Sequence, residues 1–331
     1  MSDATRRWVV TLALVAVAAV WGSTFVLVQD AIASYPVYSF LGLRFAIACV
    51  AFVALFPSTL RRFDAATLRA GLVAGAFLTL GYVLQTLGLA KTSPSKAAFI
   101  TGMFVVITPF MQAVLLRRVP RWTAWVGVGC AVAGLWLLSG GAGSGGWNTG
   151  DTLVLGCAVA YSAHMIVLGS MAPGLDARPV TLVQLATCAV VCGLVGTFSE
   201  GAGLPARADV WIALLVTGVA ASAIAFAVQT YAQKYLSPTR TALILIMEPA
   251  FGGLFGWLLA HEVLGLEGWA GAGLILAGMA ASEVLAVVAS RRGERRAMEP
   301  SIEGPPVPVI EHAGADSADR AGASGSTWSD L

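Results

Sequence analysis

Two stretches of this chain read almost alike: GYVLQTLGLAKTSPSKAAFI at residues 81–100 and AFAVQTYAQKYLSPTRTALI at residues 225–244. The matching residues of the two stretches are all separated by the same number of positions, so a single short motif shared by chance does not explain the match. The positions that match at an offset of 144 are Gln85 with Gln229, Thr86 with Thr230, Ser93 with Ser237, Pro94 with Pro238, Lys96 with Arg240, and Trp125 with Trp269. The chain therefore contains an internal duplication.

A second register links the beginnings of the two halves. WGSTF at residues 21–25 aligns with YSAHM at residues 161–165, which pairs Trp21 with Tyr161 and Thr24 with His164 at an offset of 140. Several matches in the same order indicate that the whole first half was copied.

The composition indicates a membrane protein. Hydrophobic residues make up 57% of the chain and charged residues 11%, whereas soluble domains carry about 25% charged residues. The apolar residues fall into ten segments, each near the roughly 20 residues that cross a hydrocarbon core. These segments are 8–28, 36–56, 70–90, 97–116, 122–139, 151–170, 179–198, 209–232, 240–260 and 267–289.

Ten spans and one duplication predict an all-α integral membrane protein of two inverted five-helix repeats, because an odd number of spans per repeat reverses the second one. We expect repeats at 8–139 and 151–289 and a disordered cytoplasmic tail at 290–331. Lys and Arg near the span ends number fifteen on one side against Lys91, Lys96 and Arg207 on the other. This bias predicts that both termini are cytoplasmic.

Ionisable residues within spans are costly and therefore candidate functional residues. Glu248 lies near the middle of the ninth span and can carry a proton or pair with a substrate amine. Arg44 can bind a substrate carboxylate, neutralise Glu248 or extend to the outer surface. His164 can relay protons or pack as a hydrogen-bonded core residue. A structural role for Glu248 stays open as well.

Uncharged polar and aromatic residues form a second candidate set. Tyr82 shares a helix face with Gln85, as Trp21 does with Thr24 and Tyr161 with His164, because residues three apart are neighbours on a helix. An amide, an aromatic wall and a hydroxyl can hold a small amphipathic solute, and the same groups can also join helices. The predicted substrate-binding residues are Trp21, Thr24, Arg44, Tyr82, Gln85, Tyr161, His164, Gln229 and Glu248.

Other classes of function lack their sequence signals. No catalytic set, metal-ligand spacing or nucleotide-binding loop is evident, and the five cysteines show no paired spacing. We therefore predict no enzyme activity, no cofactor, no metal and no nucleic-acid partner. Gly71-x-x-x-Gly75 predicts close helix packing.

The chain resembles the EamA-like family of the drug/metabolite transporter superfamily over residues 8–289. The motifs that carry the resemblance are Trp21-Gly22-Ser23-Thr24-Phe25, Ser93-Pro94-Ser95-Lys96-Ala97-Ala98-Phe99, Met247-Glu248-Pro249, Leu259-Ala260-His261-Glu262 and the glycine-rich last span. In many relatives a Glu lies near the end of the fourth span, where this chain has Arg117-Arg118.

The resemblance implies a central cavity between spans 1–4 and 6–9, with spans 5 and 10 supporting the fold or a homodimer. It also implies a plasma-membrane secondary transporter that moves a small organic metabolite, most often by export of an amino acid, by alternating access, with protons as a candidate coupling ion. The alternatives are a multidrug or cationic-compound exporter and a non-transporting receptor or assembly subunit. The substrate, flux direction, driving ion and oligomeric state do not follow from the sequence.

Overall fold

The structure is a computed structural model. It describes residues 3–61, 63–92, 94–117, 119, 122–138, 148–201, 203–260, 265–271, 273–278, 281 and 285. These residues belong to the unit formed by residues 1–287, and the predicted tail at 290–331 lies outside the described residues, as do Ser93, His261 and Glu262.

All regular structure in the described residues is helical, which confirms the predicted all-α class. The α-helices are α1 (Asp3–Ser34), α2 (Val37–Leu55), α3 (Ala65–Leu89), α4 (Pro94–Gly102), α5 (Phe104–Leu115), α6 (Trp122–Leu138), α7 (Thr149–Met171), α8 (Ala177–Val195), α9 (Ala208–Gly218), α10 (Ala225–Ala232), α11 (Pro238–Leu245) and α12 (Met247–Ala260). Residues 266–271 and 273–278 are helical too.

Six helical segments are long and apolar enough to cross a membrane. They are Thr5–Ser34, Val37–Leu55, Ala65–Leu89, Thr149–Met171, Ala177–Glu200 and Ala208–Ala232. They coincide with predicted spans 1, 2, 3, 6, 7 and 8. The other four predicted spans are shorter, interrupted or only partly described, so the count of ten spans stays a prediction.

Two spans predicted as continuous helices are broken near their middle. The fourth span is interrupted at Met103, between α4 and α5, and the ninth at Ile246, between α11 and α12. The backbone is similar at both breaks, with φ −60° and ψ −14° at Met103 and φ −62° and ψ −9° at Ile246. In the ninth span Pro249 supplies a cause, because proline removes the helical hydrogen bond to the carbonyl four residues earlier and clashes with it.

The eighth predicted span departs from a regular α-helix in another way. Residues Val219–Ile224 form a π-helical segment between α9 and α10. The equivalent part of the third span lies within the continuous helix α3. A π-helical segment widens the helix locally and is found frequently at functional sites.

Helices from the two halves pack against each other. In the first half α3 lies against α7 and α8, and α2 lies against α8. In the second half α9 and the π-helical segment lie against α1 and α2. Gly75 permits the contact of α3 with α8, since a Cβ atom there would lie 2.9 Å from Cα of Gln184. The predicted close packing at Gly71 and Gly75 is therefore confirmed.

Two large clusters of buried apolar side chains lie within these interfaces. One is centred on Phe40, Phe45 and Phe52 of α2 and includes Leu185 of α8. The other joins Leu14 of α1 to apolar residues of α7, α10, α11 and the start of α12. Trp21 packs against both clusters, which places it where the two halves meet.

Candidate functional site

A cavity of about 710 Å³, including the space at its mouth, lies between α1, α2, α3, α4, α5, α7, α10 and α12. Its eighteen lining residues are Trp21, Thr24, Phe25, Val28, Arg44, Leu78, Tyr82, Gln85, Thr86, Leu89, Thr101, Phe104, Tyr161, His164, Met165, Phe226, Gln229 and Glu248. All nine predicted substrate-binding residues are among them. The structure brings these residues together, and their binding of a substrate stays a prediction.

The aromatic wall of the cavity consists of packed rings from four helices. Tyr82 contacts Tyr161 edge-on at 5.7 Å between ring centroids and Phe226 at 6.1 Å. Trp21 lies 5.5 Å from Phe226. The two edge-to-face pairs of Tyr82 and the tilted pair of Trp21 with Phe226 stabilise one arrangement of the rings, so the wall is preformed.

Arg44 is almost fully buried, at 4% exposure, and its guanidinium stacks 4.7 Å from the centre of the Tyr82 ring. Its Nε donates to Oγ of Ser222 at 3.0 Å, and its Nη2 donates to the Tyr82 hydroxyl at 3.2 Å. A guanidinium has five N–H groups. The remaining donors of this fixed fork are available to an anionic group in the cavity.

Glu248 lies at the second position of α12 and is 9% exposed. Among the described residues neither a hydrogen bond nor an ion pair engages its carboxylate, although the charge of Arg44 acts on it. Glu248 thus lies in the first turn of α12, where the helix dipole favours an anion. The cavity therefore presents a carboxylate and a guanidinium that do not neutralise each other by direct contact.

His164 is held by a chain of hydrogen bonds that leads away from the cavity. Its Nε2 lies 2.8 Å from Oε1 of Gln184, whose Nε2 donates to Oγ1 of Thr230 at 2.8 Å. With Gln184 accepting, Nε2 of His164 carries the proton and Nδ1 is an acceptor. The chain fixes the imidazole against Phe226, 6.1 Å away.

The sequence prediction missed several residues of this site. Phe226 lines the cavity at the position equivalent to Tyr82, 144 residues later and three before Gln229. The repeat that identified Tyr82 and Gln85 would have identified Phe226 as well. By contrast, Thr101 and Ser222 have no such signal, because their equivalents in the other half are Leu245 and Leu78.

No group of three His, Cys, Asp or Glu residues that could hold a metal ion occurs in the part of the chain that the structure describes. The polar groups of the cavity instead suit an organic solute: one cation, one anion, two carboxamides and several hydroxyls on an aromatic floor. Pockets of this kind, mostly apolar with a few convergent polar groups, are typical of small-molecule sites.

Comparison with known proteins identifies the family. The model of the EamA-like transporter family matches twice, at residues 7–140 and 148–282. An uncharacterized transporter of Archaeoglobus fulgidus is 30% identical over 275 residues, which are 83% of this chain and 86% of that protein. The uncharacterized inner membrane transporter YedA of Escherichia coli K12 is 24% identical over 80% of this chain and 87% of its own length.

A solved crystal structure shares the fold, with a TM-score of 0.71 at 20% identity over 86% of this chain and 98% of the other. Together with the apolar helices and the cavity between the repeats, these matches show that the chain is a multi-pass membrane protein and belongs to the EamA-like transporter family.

Proposed function

We propose that the protein exports an amino acid, or a related compound with both a carboxylate and an amine, across the plasma membrane. One observation carries this proposal. Arg44 and Glu248 line the same cavity with free polar atoms, and no ion pair joins them among the described residues. A solute with an anionic and a cationic end can pair with both groups, whereas a neutral solute would give neither of them a partner of opposite charge.

The architecture that fits this function is ten spans in two inverted repeats, with both termini in the cytoplasm. The helix contacts between the halves support the two related repeats, since α1 lies against α9 as α7 lies against α3. Alternating access then consists of rocking one repeat against the other around a central site. The breaks at Met103 and Ile246 lie beside that site and allow half-helices to move separately.

Counterflow in proteoliposomes tests the solute class. Vesicles loaded with mixed amino acids are expected to exchange labelled amino acid when they contain the wild-type protein and to lose this exchange with Glu248→Gln. The variant keeps the size of the side chain and one of its two acceptor oxygens while removing its charge. Absence of exchange in the wild type would contradict the proposed solute class.

Glu248 is also the candidate proton-coupling residue, because an unpaired carboxylate within a span can bind and release a proton. Transport rates measured across a range of external pH then separate coupling from binding. Full pH dependence in a still active Glu248→Gln variant would contradict the coupling role.

A multidrug or cationic-compound exporter is the second candidate function. The aromatic wall of Trp21, Tyr82, Tyr161 and Phe226 together with Glu248 favours it, because aromatic faces attract organic cations. Arg44 disfavours it, since a like charge in the same cavity repels a cation. Tetraphenylphosphonium binding to the purified protein distinguishes the two, and a receptor or assembly role gains support if a broad solute panel gives neither binding nor exchange.

A further inference from the structure

Gln229 is a buried amide whose hydrogen-bonding capacity is unused. It is 1% exposed and lines the cavity. Its Oε1 is fully enclosed without a hydrogen-bond partner, and its Nε2 donates to none of the described residues. A buried acceptor left unpaired costs about 1–3 kcal/mol, so a group in this state calls for an explanation.

Gln85 occupies the equivalent position of the first half and is fully engaged. Its Oε1 accepts from the Tyr161 hydroxyl at 3.2 Å, and its Nε2 donates to Oγ1 of Thr101 at 3.3 Å. These bonds join α3 to α7 and α4. Gln85 therefore holds the cavity wall together.

Gln229 lacks both of the partners that Gln85 has, and each absence has an identifiable reason. Trp21 is the equivalent of Tyr161, but its indole Nε1 donates to the carbonyl of Ala221 at 2.7 Å. Ala221 lies in the π-helical segment Val219–Ile224. The equivalent of Thr101 is Leu245, which has no polar side-chain atom. The glutamine of the second half is thus present without either of the partners that Gln85 has.

The amide can turn toward the cavity without breaking a bond. Rotation about the terminal torsion of a glutamine is soft, and neither atom of this carboxamide has a partner to lose. The oxygen can therefore face a bound molecule, where an N–H group of that molecule would supply the missing hydrogen bond.

We propose that Gln229 is a specificity-determining residue whose Oε1 accepts a hydrogen bond from an N–H group of the transported solute, whereas the carboxamide of Gln85 keeps its hydrogen bonds to the cavity wall. The inference rests on the proposed function, because an ammonium group that pairs with Glu248 has further N–H donors to offer. Gln229 then distinguishes a primary amine from a cation of equal charge without N–H groups.

Thermal unfolding of the ligand-free protein in detergent tests the structural half of this inference. Gln229→Met removes an unpaired acceptor and keeps the side-chain volume, so its melting temperature is expected to equal or exceed that of the wild type. Gln85→Met strands Thr101 and the Tyr161 hydroxyl and is expected to melt at least about 2 °C lower. An equal loss in both variants would overturn the inference, because it would give Gln229 a structural role.

Counterflow with a matched pair of solutes tests the recognition half. The probes are leucine and its N,N,N-trimethyl analogue, which keeps both charges and lacks N–H groups. Gln229→Met is expected to lower the preference of the wild type for leucine about tenfold, through weaker binding of leucine. The steric part of the preference is retained in this variant, and Gln112→Met, at a buried glutamine outside the cavity lining, is expected to keep the full preference.

The outcomes separate the inference from the function on which it rests. Exchange of leucine by the wild type with an unchanged preference in Gln229→Met overturns the role of Gln229 alone. A wild-type protein that exchanges neither probe overturns the proposed solute class and the N–H acceptor role together.

Discussion

The two halves of this molecule share one scaffold and differ in the charges that they place on it. Helices α2 and α8 are each 19 residues long and begin 140 positions apart. Arg44 of α2 corresponds to Gln184 of α8 at the same offset, and Phe104 corresponds to Glu248 at an offset of 144. Duplication has supplied the geometry of the cavity, and divergence between the copies has supplied its polarity.

The difference at Arg44 and Gln184 shows how one position can serve two purposes. Arg44 lines the cavity, while Gln184 turns to His164 and Thr230 and lies outside the lining. Arg44 is itself part of the lining, and Gln184 supports His164, which lines the cavity as well. Variants that make the halves alike test this interpretation.

The largest effect is expected from Arg44→Gln, which gives the first half the residue of the second. Loss of the guanidinium removes the partner of a substrate carboxylate, and counterflow of amino acids should fall about 100-fold. Arg69→Gln is the matched control, because Arg69 is an exposed arginine at the same net charge cost. If exchange of an amine without a carboxylate fell equally, Arg44 would be structural instead.

A smaller loss of solute binding is expected from Gly81→Ala. This change gives Gly81 the residue that the second half has at the equivalent position, Ala225. A Cβ atom at Gly81 would clash with the ring of Tyr161, which would then move away from Gln85. Overpacking of this kind costs about 1–3 kcal/mol. We expect a lower melting temperature and weaker solute binding, measured on the same purified sample.

The reverse change in the other half is the control for that experiment. Ala225→Gly removes one buried methyl group and introduces no clash. We therefore expect a modest change in stability and unchanged solute binding. Equal losses of binding in Gly81→Ala and Ala225→Gly would show that the two positions do not differ in how they hold the cavity wall.

A third contrast concerns how α2 and α8 begin. The N-cap of α2 is Pro36, whose side chain makes no capping bond. Glu200, which follows α8, replaces it by accepting from the backbone N–H groups of Tyr38 at 3.0 Å and Ser39 at 2.8 Å. The start of α8 instead uses its own neighbour, since Asp176 accepts from Arg178 N at 3.1 Å.

Glu200→Gln should therefore weaken the joint between the halves as well as one helix. The cost expected for a lost helix cap is about 1 kcal/mol, seen as a lower melting temperature in detergent. Asp176→Asn, which affects a cap within one half, is the comparison. The interpretation fails if Glu200→Gln leaves crosslinking yields between engineered cysteines on α2 and α8 unchanged while stability drops.

Much of this arrangement could be predicted from the sequence because of the duplication. Three of the pairs that matched across the offsets line the cavity: Gln85 with Gln229, Trp21 with Tyr161, and Thr24 with His164. Periodicity and the repeat place residues on a face but do not reveal helix interruptions. The π-helical segment at Val219–Ile224, and with it the contact of Ser222 with Arg44, depends on packing between halves and leaves no local pattern.

The sequence contains a local reason for the break at Ile246 but none for the break at Met103. Pro249 gives a local steric reason in the ninth span, whereas in the fourth span Pro109 lies well inside α5 and does not coincide with the break. The fourth span is therefore interrupted with a backbone conformation similar to that of the ninth span, although it has no proline at the same distance from the break. Its interruption is therefore a property of the shared scaffold, which a single sequence does not display.

The smallest effect on stability is expected from the cap of α3. The starts of α3 and α9 correspond to each other in the two halves, but they are capped differently. Asp64 caps α3 by accepting from Thr67 N at 2.7 Å, whereas Arg207, the N-cap of α9, makes no side-chain cap. The hydrogen bonds from Thr67 hold the pKa of Asp64 below its usual value. A carboxylate with a lowered pKa in the folded state stabilises the protein above its unfolded pKa, and this contribution disappears as the pH falls through the folded value.

Asp64→Asn keeps an acceptor at the cap and removes only the charge, so the variant should melt slightly below the wild type at neutral pH and together with it in acid. Salt should shrink the neutral-pH difference, because the site is fully exposed and screened. Asp209→Asn is the comparison on α9: Asp209 accepts hydrogen bonds from Nε of Arg207 at 3.0 Å and from its Nη2 at 2.6 Å, so any effect of this variant on stability should require Arg207. A difference between wild type and Asp64→Asn that persisted unchanged in acid would mean that the cap acts through its shape and not through its charge.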